Sequence, residues 1–302
     1  MKIDKGILAI DIGGTKVALA VLDRTGKWLT HKKIIIAGEL GNRIVEKLIV
    51  ESQKIVKSCQ VDIIGIGIST IGVIKDNYLK LVPTISGWDQ INLKEIFQKN
   101  FPEAKIILEN DVKAATYAEI LRGSLRATTS GIYLNLGTGI AIGLSLKDQV
   151  VKGSHGAAGE IGYFLTQITE DNSFSNGHAP LEEIIGGQAI GQHLEALTGS
   201  NYTAKELWND SLRKSEVKEF KSEVLRYLTF TLSNLCIMWD PEVVVVGGGM
   251  EAAYAKFVPA LEKALQKNVP FAPKLKPAFY KQNASLNGIG LLTLKETYGF
   301  QV

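Results

Sequence analysis

Short apolar blocks separated by turns begin close to the N-terminal end of the sequence. Ile7–Ile12 and Val17–Leu22 are rich in Ile, Val, Leu and Ala, and Gly13–Lys16 separates them. Strands have this composition, and glycines suit the turn between two of them. The pattern predicts a β-hairpin with a glycine tip, then a strand near 33–37 and an amphipathic helix over 42–58.

Two later apolar blocks end in polar residues. Ile63–Ile68 is followed by Ser69–Gly72, and Ile106–Leu108 is followed by Glu109–Asp111. A helical pattern then continues to Leu121. We therefore predict two strands whose ends carry polar side chains.

The segment of the first hairpin is repeated later in the sequence. AIDIGGTKVALAVL at 9–22 is similar to YLNLGTGIAIGLSL at 133–146, and this similarity aligns Asp11 with Asn135 and Gly13 with Gly137. The repeat predicts two similar halves that face each other, each with a glycine-tipped hairpin. A chance match between two glycine turns is the alternative.

The second half of the sequence is mostly helical in pattern. Helices are predicted from Leu181 onward, over Ala204–Leu212 and over Val217–Met238, before a strand at Val243–Val246 that ends in three glycines. Thr166–Pro180 has no pattern and is predicted to be a surface loop. Alternating strands and helices indicate an α/β fold.

The length of 302 residues favours two domains. We predict a smaller α/β domain over 1–120, completed by a C-terminal helix near 289–302, and a larger α/β domain over 121–288. A net charge of +3 without a basic run gives little reason to expect a nucleic-acid partner.

Cysteine usage and the N-terminal segment bear on the compartment. Cys59 and Cys236 are the only cysteines, far apart in apolar segments, so neither a disulfide framework nor a cysteine zinc site is expected. The apolar stretch before Asp11 is too short for a signal peptide or a spanning helix. We therefore expect a cytoplasmic protein.

The two glycine turns are candidates for holding phosphate. Glycines let backbone N–H groups approach a phosphate closely, and a threonine hydroxyl and a lysine charge add to this, while Asp11 could hold Mg²⁺ through water. An ordinary hairpin turn would satisfy the same residues. Neither GxxxxGK[ST] nor a strand-GxGxxG-helix pattern occurs, so a P-loop or a dinucleotide Rossmann site is not expected. The turn residues are Gly13, Gly14, Thr15 and Lys16 in the first hairpin and Gly137, Thr138 and Gly139 in the second.

Three further segments carry candidate chemistry. Gly248 and Gly249 follow a strand, where backbone can approach a base or ribose, although a tight turn explains them equally. Asn110 can bond sugar hydroxyls and Asp111 can accept a proton, although both residues also cap helices routinely. The carboxylates Glu160 and Glu182 are weaker candidates when taken alone.

Six of these segments together resemble the ROK family of sugar kinases and repressors, and they occur in the order found there. The resemblance spans nearly the whole chain and implies a two-domain actin-like (ribonuclease-H-like) fold with a cleft between the domains, in which ATP and Mg²⁺ are used to phosphorylate a sugar. The segments are DIGGTK at 11–16, ENDVKAA at 109–115, LGTG at 136–139, AGEIGY at 158–163, LEEIIGG at 181–187 and VVVVGGGM at 243–250.

The resemblance also implies roles for individual residues. Asp111 would be the catalytic base, and Gly72 would line the floor of the sugar site. The remaining roles are ATP-phosphate contacts for Gly13, Gly14, Thr15 and Gly137 to Gly139, adenosine contacts for Gly248 and Gly249, and sugar-hydroxyl contacts for Asn110, Glu160 and Glu182.

The sequence departs from the family pattern in two places. Many members have a histidine after GEIG and a CxCGxxGC run that bind zinc, whereas this chain has Tyr163 there and no such cysteines, so we expect no structural zinc. Tyr163 would then either contact the sugar in place of the histidine or leave that sugar position to be recognised in another way. Ala141 and Ile142 replace the usual glycine-rich continuation after GTG, and we expect them to point into the core.

The substrate and the function class have alternatives. The segment GIGISTIGVI at 65–74 and Tyr163 are similar to those of zinc-free bacterial N-acetylmannosamine kinases, which makes N-acetylmannosamine the first choice, with glucose and other hexoses open. A sugar-responsive repressor would need a helix-turn-helix before Asp11, for which ten residues give no room. A catalytically silent sugar-binding protein is the other alternative. The resemblance further suggests a homodimer.

Overall fold

A computed structural model describes residues 5–76, 78–82, 85–167, 172–209, 212 and 214–299. The chain divides into two compact units. The first comprises Met1–Leu121, Lys152–Ala157 and Asn283–Val302, and the second comprises Arg122–Val151 and Ala158–Gln282. No helix within the described ranges is both long and apolar enough to cross a membrane.

The regular elements are numbered along the chain. The strands are β1 (Lys5–Ile12), β2 (Lys16–Leu22), β3 (Trp28–Ile35), β4 (Asp62–Thr70), β5 (Val73–Lys75), β6 (Tyr78–Lys80), β7 (Lys105–Asn110), β8 (Ser130–Leu136), β9 (Ile140–Leu146), β10 (Gln149–Val151), β11 (Val243–Gly247) and β12 (Lys274–Pro277). The α-helices are α1 (Gly41–Cys59), α2 (Leu93–Asn100), α3 (Asp111–Arg122), α4 (Glu182–Ile185), α5 (Gly187–Thr198), α6 (Ser215–Trp239), α7 (Tyr254–Asn268) and α8 (Ala284–Tyr298).

Each unit contains a five-stranded sheet, and the two sheets have the same topology. Their orders are β3-β2-β1-β4-β7 and β10-β9-β8-β11-β12. In each, the first three strands pair antiparallel and the last two join in parallel. The hairpins β1–β2 and β8–β9 therefore occupy equivalent places in the two sheets. The shared topology confirms the prediction of two similar halves, each with a glycine-tipped hairpin.

The first unit packs α8 directly on its sheet. Gly67 of β4 has no side chain, and a Cβ built there would lie 2.1 Å from Oγ1 of Thr293 on α8. A Cβ on Gly288 would lie 1.7 Å from the carbonyl oxygen of Ala114 on α3. These glycines let α8 approach both the sheet and α3 more closely than a side chain would allow.

Two secondary-structure predictions were wrong. The third strand is Trp28–Ile35 and not 33–37, because it pairs along the whole of β2 as an edge strand whose mostly exposed side chains show no apolar block. The α-helix predicted over Ala204–Leu212 is a 3-10 turn at Ala204–Trp208. A capping box between Thr203 and Glu206 starts this turn, and Asn209, in extended conformation, ends it.

Other predicted elements match the structure closely. The helix over Val217–Met238 is α6, and the strand at Val243–Val246 is β11, which is buried along its whole length. Of the loop predicted over Thr166–Pro180, residues 168–171 lie outside the described residues, and the remainder contains a 3-10 turn at Phe174–Asn176. Ile142 is buried in the core of the second unit, as expected, whereas Ala141, which points to the opposite face of β9, is only half-buried.

Gly288→Ala should destabilise the first unit. The added methyl group would overlap the carbonyl of Ala114, so we expect the free energy of unfolding to fall by about 2 kcal/mol, despite the better helix propensity of alanine. The measurement is urea-induced unfolding. The control is Gly249→Ala, where an added Cβ has no heavy atom within 4 Å, and equal losses for the two variants would contradict the packing argument.

Candidate functional site

The tip of the β1–β2 hairpin presents polar groups to solvent. The N–H of Gly13 donates to the carbonyl of Lys16 at 3.0 Å, which closes the turn, and the carbonyl of Thr15 accepts from the N–H of Ile36 at 2.9 Å. The residues Thr15 and Lys16 are exposed, and Gly14 is half-buried. The turn thus offers a hydroxyl and an ammonium group beside backbone that no side chain covers.

Asp11 lies at the end of β1, where two serine hydroxyls bond its carboxylate. Oδ1 accepts from Oγ of Ser69 at 2.9 Å and from Oγ of Ser285 at 2.7 Å. Burial raises the pKa of this carboxyl, while the serine bonds and the charges of Lys16 and Lys33 oppose the increase. Sequence analysis missed both serines as partners of Asp11, although Ser69 follows from its place opposite Asp11 in the parallel register.

Asn110 connects the end of β7 with the start of α3. Its Oδ1 accepts from the N–H of Lys113 at 3.0 Å, and its Nδ2 donates to the carbonyl of Gly72 at 2.9 Å. Asn110 therefore caps α3, as the alternative interpretation held. An amide also has a second N–H and a second lone pair, so this capping role leaves capacity for a ligand.

Asp111 is the first residue of α3, directly after the capping asparagine. Its Oδ1 accepts from the N–H of Val112 at 2.9 Å, and the residue is half-buried. The structure thus brings Gly72, Asn110 and Asp111 together at the end of β7. The positive φ of Gly72, +86°, and the 2.2 Å that would separate its Cβ from Cγ1 of Val82 explain why glycine stands there.

The glycine turn of the second unit is fastened to the start of α5. The carbonyl of Gly137 accepts from the N–H of Gly187 at 3.1 Å, and the carbonyl of Thr138 accepts from the N–H of Gln188 at 2.9 Å. Gly248 has a φ of +85°, and a Cβ there would lie 2.4 Å from the carbonyl oxygen of Leu136. The structure therefore brings the LGTG turn and the triple glycine together.

A cavity of about 450 Å³ opens beside this turn. Gly137, Thr138 and Gly249 contribute to its wall. No sequence signal marked the polar side chains that complete the lining, because they are scattered over loops and helix surfaces. They include Gln188, Gln192, Glu195, Asn201, Lys205 and Gln282.

Glu182 is the first residue of α4, and its side chain contacts the LGTG turn. Its Oε2 accepts from the N–H of Ile140 at 3.0 Å. A Cβ on Gly139 would lie 1.9 Å from the same oxygen, so a side chain at this position would displace the carboxylate from the turn. The predicted sugar contact is thus also a contact of the predicted phosphate turn, a connection that the sequence did not reveal.

Tyr163 is close to the two carboxylates predicted to contact a sugar. Burial, followed by the negative charges of Glu160 and Glu182, raises the pKa of its phenol. Its ring meets Phe174 edge to face, with the ring centroids 5.3 Å apart. Near this contact, the hydroxyls of Ser173 and Ser175 are hydrogen-bonded at 2.8 Å. The tyrosine is therefore held in place by an aromatic contact with the loop that precedes α4.

The pH dependence of stability should reveal the buried charge of Asp11. The pKa of the Asp11 carboxyl is higher in the folded protein than in the unfolded chain, so its protonation stabilises the fold. This contribution to the free energy of unfolding is complete below the ordinary pKa of 3.8 and is lost as pH rises through the folded value. The melting temperature of Asp11→Asn minus that of the wild type should therefore increase from pH 4 to pH 7. Thermal unfolding followed by circular dichroism measures this difference.

Asp23→Asn is the matched control for this experiment. Although slight burial raises the pKa of Asp23, hydrogen bonds from Thr25 and Lys27 outweigh it and lower the pKa overall. The corresponding difference for Asp23→Asn should change little from pH 4 to pH 7, because a lowered pKa confines the change in stability to pH values near and below 3.8. A pH-independent difference for Asp11→Asn would contradict the assignment of a buried carboxyl.

Known proteins resemble this chain over most of its length. A beta-glucoside kinase of Listeria monocytogenes is 27% identical over 254 residues, covering 81% of this chain and 82% of that protein. An N-acetylmannosamine kinase of Vibrio vulnificus is 26% identical over 290 residues, covering 93% of this chain and 96% of that protein.

A solved structure agrees with the fold described above. The ROK hexokinase from Thermus thermophilus is 25% identical and superimposes with a TM-score of 0.79, covering 98% of this chain and 100% of the other. The predicted actin-like ATPase fold is therefore confirmed. Because the sequence pattern of the ROK family matches residues 7–296, which include nearly every element of both units, this chain belongs to the ROK family.

Proposed function

We propose that this protein is an ATP-dependent sugar kinase that phosphorylates the 6-hydroxyl of a hexose or an N-acetylhexosamine. The observation that carries the proposal is the pair Asn110 and Asp111, in which the capping asparagine fixes the start of α3 and the aspartate follows directly after it. Phosphoryl transfer to an alcohol needs a positioned carboxylate of this kind. Relatives that are sugar kinases support the same activity.

Asp111 is the proposed base. As the sugar oxygen attacks the γ-phosphorus, its proton passes to the Asp111 carboxylate, and the bond from the γ-phosphorus to the bridging oxygen of ADP breaks. The second N–H of Asn110 would donate a hydrogen bond to the sugar and so orient its ring for attack on the γ-phosphorus. Glu160 and Glu182 would accept hydrogen bonds from other hydroxyls, and Tyr163, whose raised pKa keeps its phenol protonated, would donate one.

The glycine turns are the proposed phosphate contacts. Gly14 and Thr15 would supply N–H groups and a hydroxyl, Lys16 would supply a positive charge, and Gly13, whose N–H closes the turn, would let a phosphate approach closely. Gly137 to Gly139 would act in the same way beside the cavity of about 450 Å³, which we propose takes the adenosine next to Gly248 and Gly249. No side chain at these glycines would obstruct the nucleotide.

Mg²⁺ would accompany ATP and neutralise charge on the transferring phosphoryl group. Asp11 suits a hydrated ion, because both serine hydroxyls bond Oδ1 and fix the direction of the carboxylate. Oδ2 is the oxygen that we propose contacts a metal-bound water. Magnesium prefers this kind of outer contact because it retains several of its waters.

N-acetylmannosamine is the proposed first substrate. It is favoured by the isoleucine-rich segment at 65–74, by Tyr163, and by a Vibrio vulnificus relative that spans 93% of this chain. Glucose or another hexose remains the alternative substrate, and a catalytically silent sugar-binding protein the alternative function. We also propose a cytoplasmic location and a homodimer.

A coupled assay of ADP release tests the kinase and its substrate together. The panel is N-acetylmannosamine, N-acetylglucosamine, glucose, mannose, fructose and allose, each with ATP and Mg²⁺. We expect one sugar to respond and Asp111→Asn to lower kcat by about 10²–10⁴-fold, the usual contribution of a general base. Asp148→Asn, in the exposed turn before β10, should be unaffected. ATP binding without turnover of any sugar would favour the silent binder.

Chelation tests the expected independence from zinc. Treatment with EDTA should abolish turnover by removing Mg²⁺, and added Mg²⁺ alone should restore it fully, because the sequence has no cysteine between Cys59 and Cys236 that could supply thiolate ligands to zinc. The melting temperature should not change on chelation. A requirement for added Zn²⁺, or a fall in melting temperature, would contradict the proposal.

A further inference from the structure

Glu109 is a buried carboxylate directly before the proposed catalytic pair. It lies at the end of β7 and is only 4% exposed. Its Oε1 accepts from the N–H of Asn110 at 3.0 Å. None of the roles proposed above uses this residue, although an ionised carboxylate at such depth is costly unless a cation compensates it.

Lys152 supplies that cation from a distant part of the sequence. Its Nζ lies 2.5 Å from Oε2 of Glu109, and its side chain is about half exposed, at 51%. Burial lowers the pKa of this ammonium, but the charge and close contact of Glu109, with contributions from Tyr117 and Glu296, together outweigh burial and raise the pKa overall. The two oxygens of Glu109 thus hold the Asn110 backbone on one side and Lys152 on the other.

We propose that Lys152 is a positioning residue for phosphoryl transfer, which acts by fixing Glu109 and, through it, the backbone that carries Asn110 and Asp111. The contacts form a continuous series: ammonium to carboxylate, carboxylate to the N–H of Asn110, and the Asn110 amide to α3 and to Gly72. A displacement of this backbone by about 1 Å would misplace the base.

The ion pair also sets the charge near the base. Without Lys152, the charge of Glu109 would stand uncompensated two residues before Asp111 and would raise the pKa of that carboxyl. The other charged or titratable groups that act on Lys152 are Tyr117 of α3 and Glu296 of α8. Glu296 has its own partner, Lys105.

The inference rests on the proposed kinase activity, and Lys152→Met tests it. We expect kcat to fall by about tenfold or more, with little change in the KM for ATP, and the acidic limb of the pH–rate profile to move to higher pH. Lys152→Arg should restore most of the rate. In Lys152→Met with Glu109→Gln the acidic limb should return to its wild-type position, because no buried charge is left unpaired.

Lys105→Met is the matched control, since Lys105 begins the same strand and pairs with Glu296 at 3.2 Å, where both side chains are 48% exposed. A Lys152→Met variant that matches this control in kcat and in pH profile would overturn the inference, even if its melting temperature falls.

Calorimetric sugar binding separates this inference from the proposed function. If the wild type binds a sugar without turning it over, the kinase proposal fails, while Lys152→Met should still weaken that binding through Asn110. If the variant then binds as tightly as the wild type, the positioning role is wrong. If the wild type binds none of the sugars, the acceptor site and the inference fall together.

Discussion

The carboxylate of Glu182 occupies the space that a side chain at position 139 would need. The candidate site of the second unit depends on this contact. An oxygen of the Glu182 carboxylate bonds the N–H of Ile140, while the carbonyl of the same glutamate accepts from the N–H of Gly186 at 2.8 Å. A charged acceptor on a backbone N–H is a strong and directional bond. The glycine turn, the start of α4 and the surroundings of Tyr163 therefore share one anchor.

The two sheets show how one topology can carry different chemistry. Asp11 and Asn135 hold equivalent places, but Asp11 is a carboxyl group held by two hydroxyls, whereas the amide of Asn135 lies next to its turn, where a Cβ on Gly137 would be 3.1 Å from Nδ2. A neutral amide can both donate and accept hydrogen bonds, so it can pair with either a backbone N–H or a backbone carbonyl. The repeated scaffold thus presents a carboxyl group at one strand end and an amide at the other.

The sequence predicted those parts of the molecule whose signal is local. Buried strands such as β1 and β11 are apolar blocks, and glycines mark turns because other residues would clash. The partners of Asp11 were missed because Ser69 and Ser285 lie 58 and 274 residues away from it. The predicted position of strand β3 was wrong because an exposed edge strand is recognised by its pairing rather than by apolar composition. Only the folded chain shows such long-range contacts.

Helix α8 belongs to the first unit although it follows the second along the chain. It provides Ser285 to Asp11 and covers β1 and β4 with a glycine-lined face. During synthesis on the ribosome, the first sheet must therefore wait, with one apolar face uncovered, until more than half of the chain has followed it. The second unit, nearly continuous in sequence, has no such delay. The order of synthesis and the order of folding are thus opposed, and the hydrophobic strands made first depend longest on protection from aggregation.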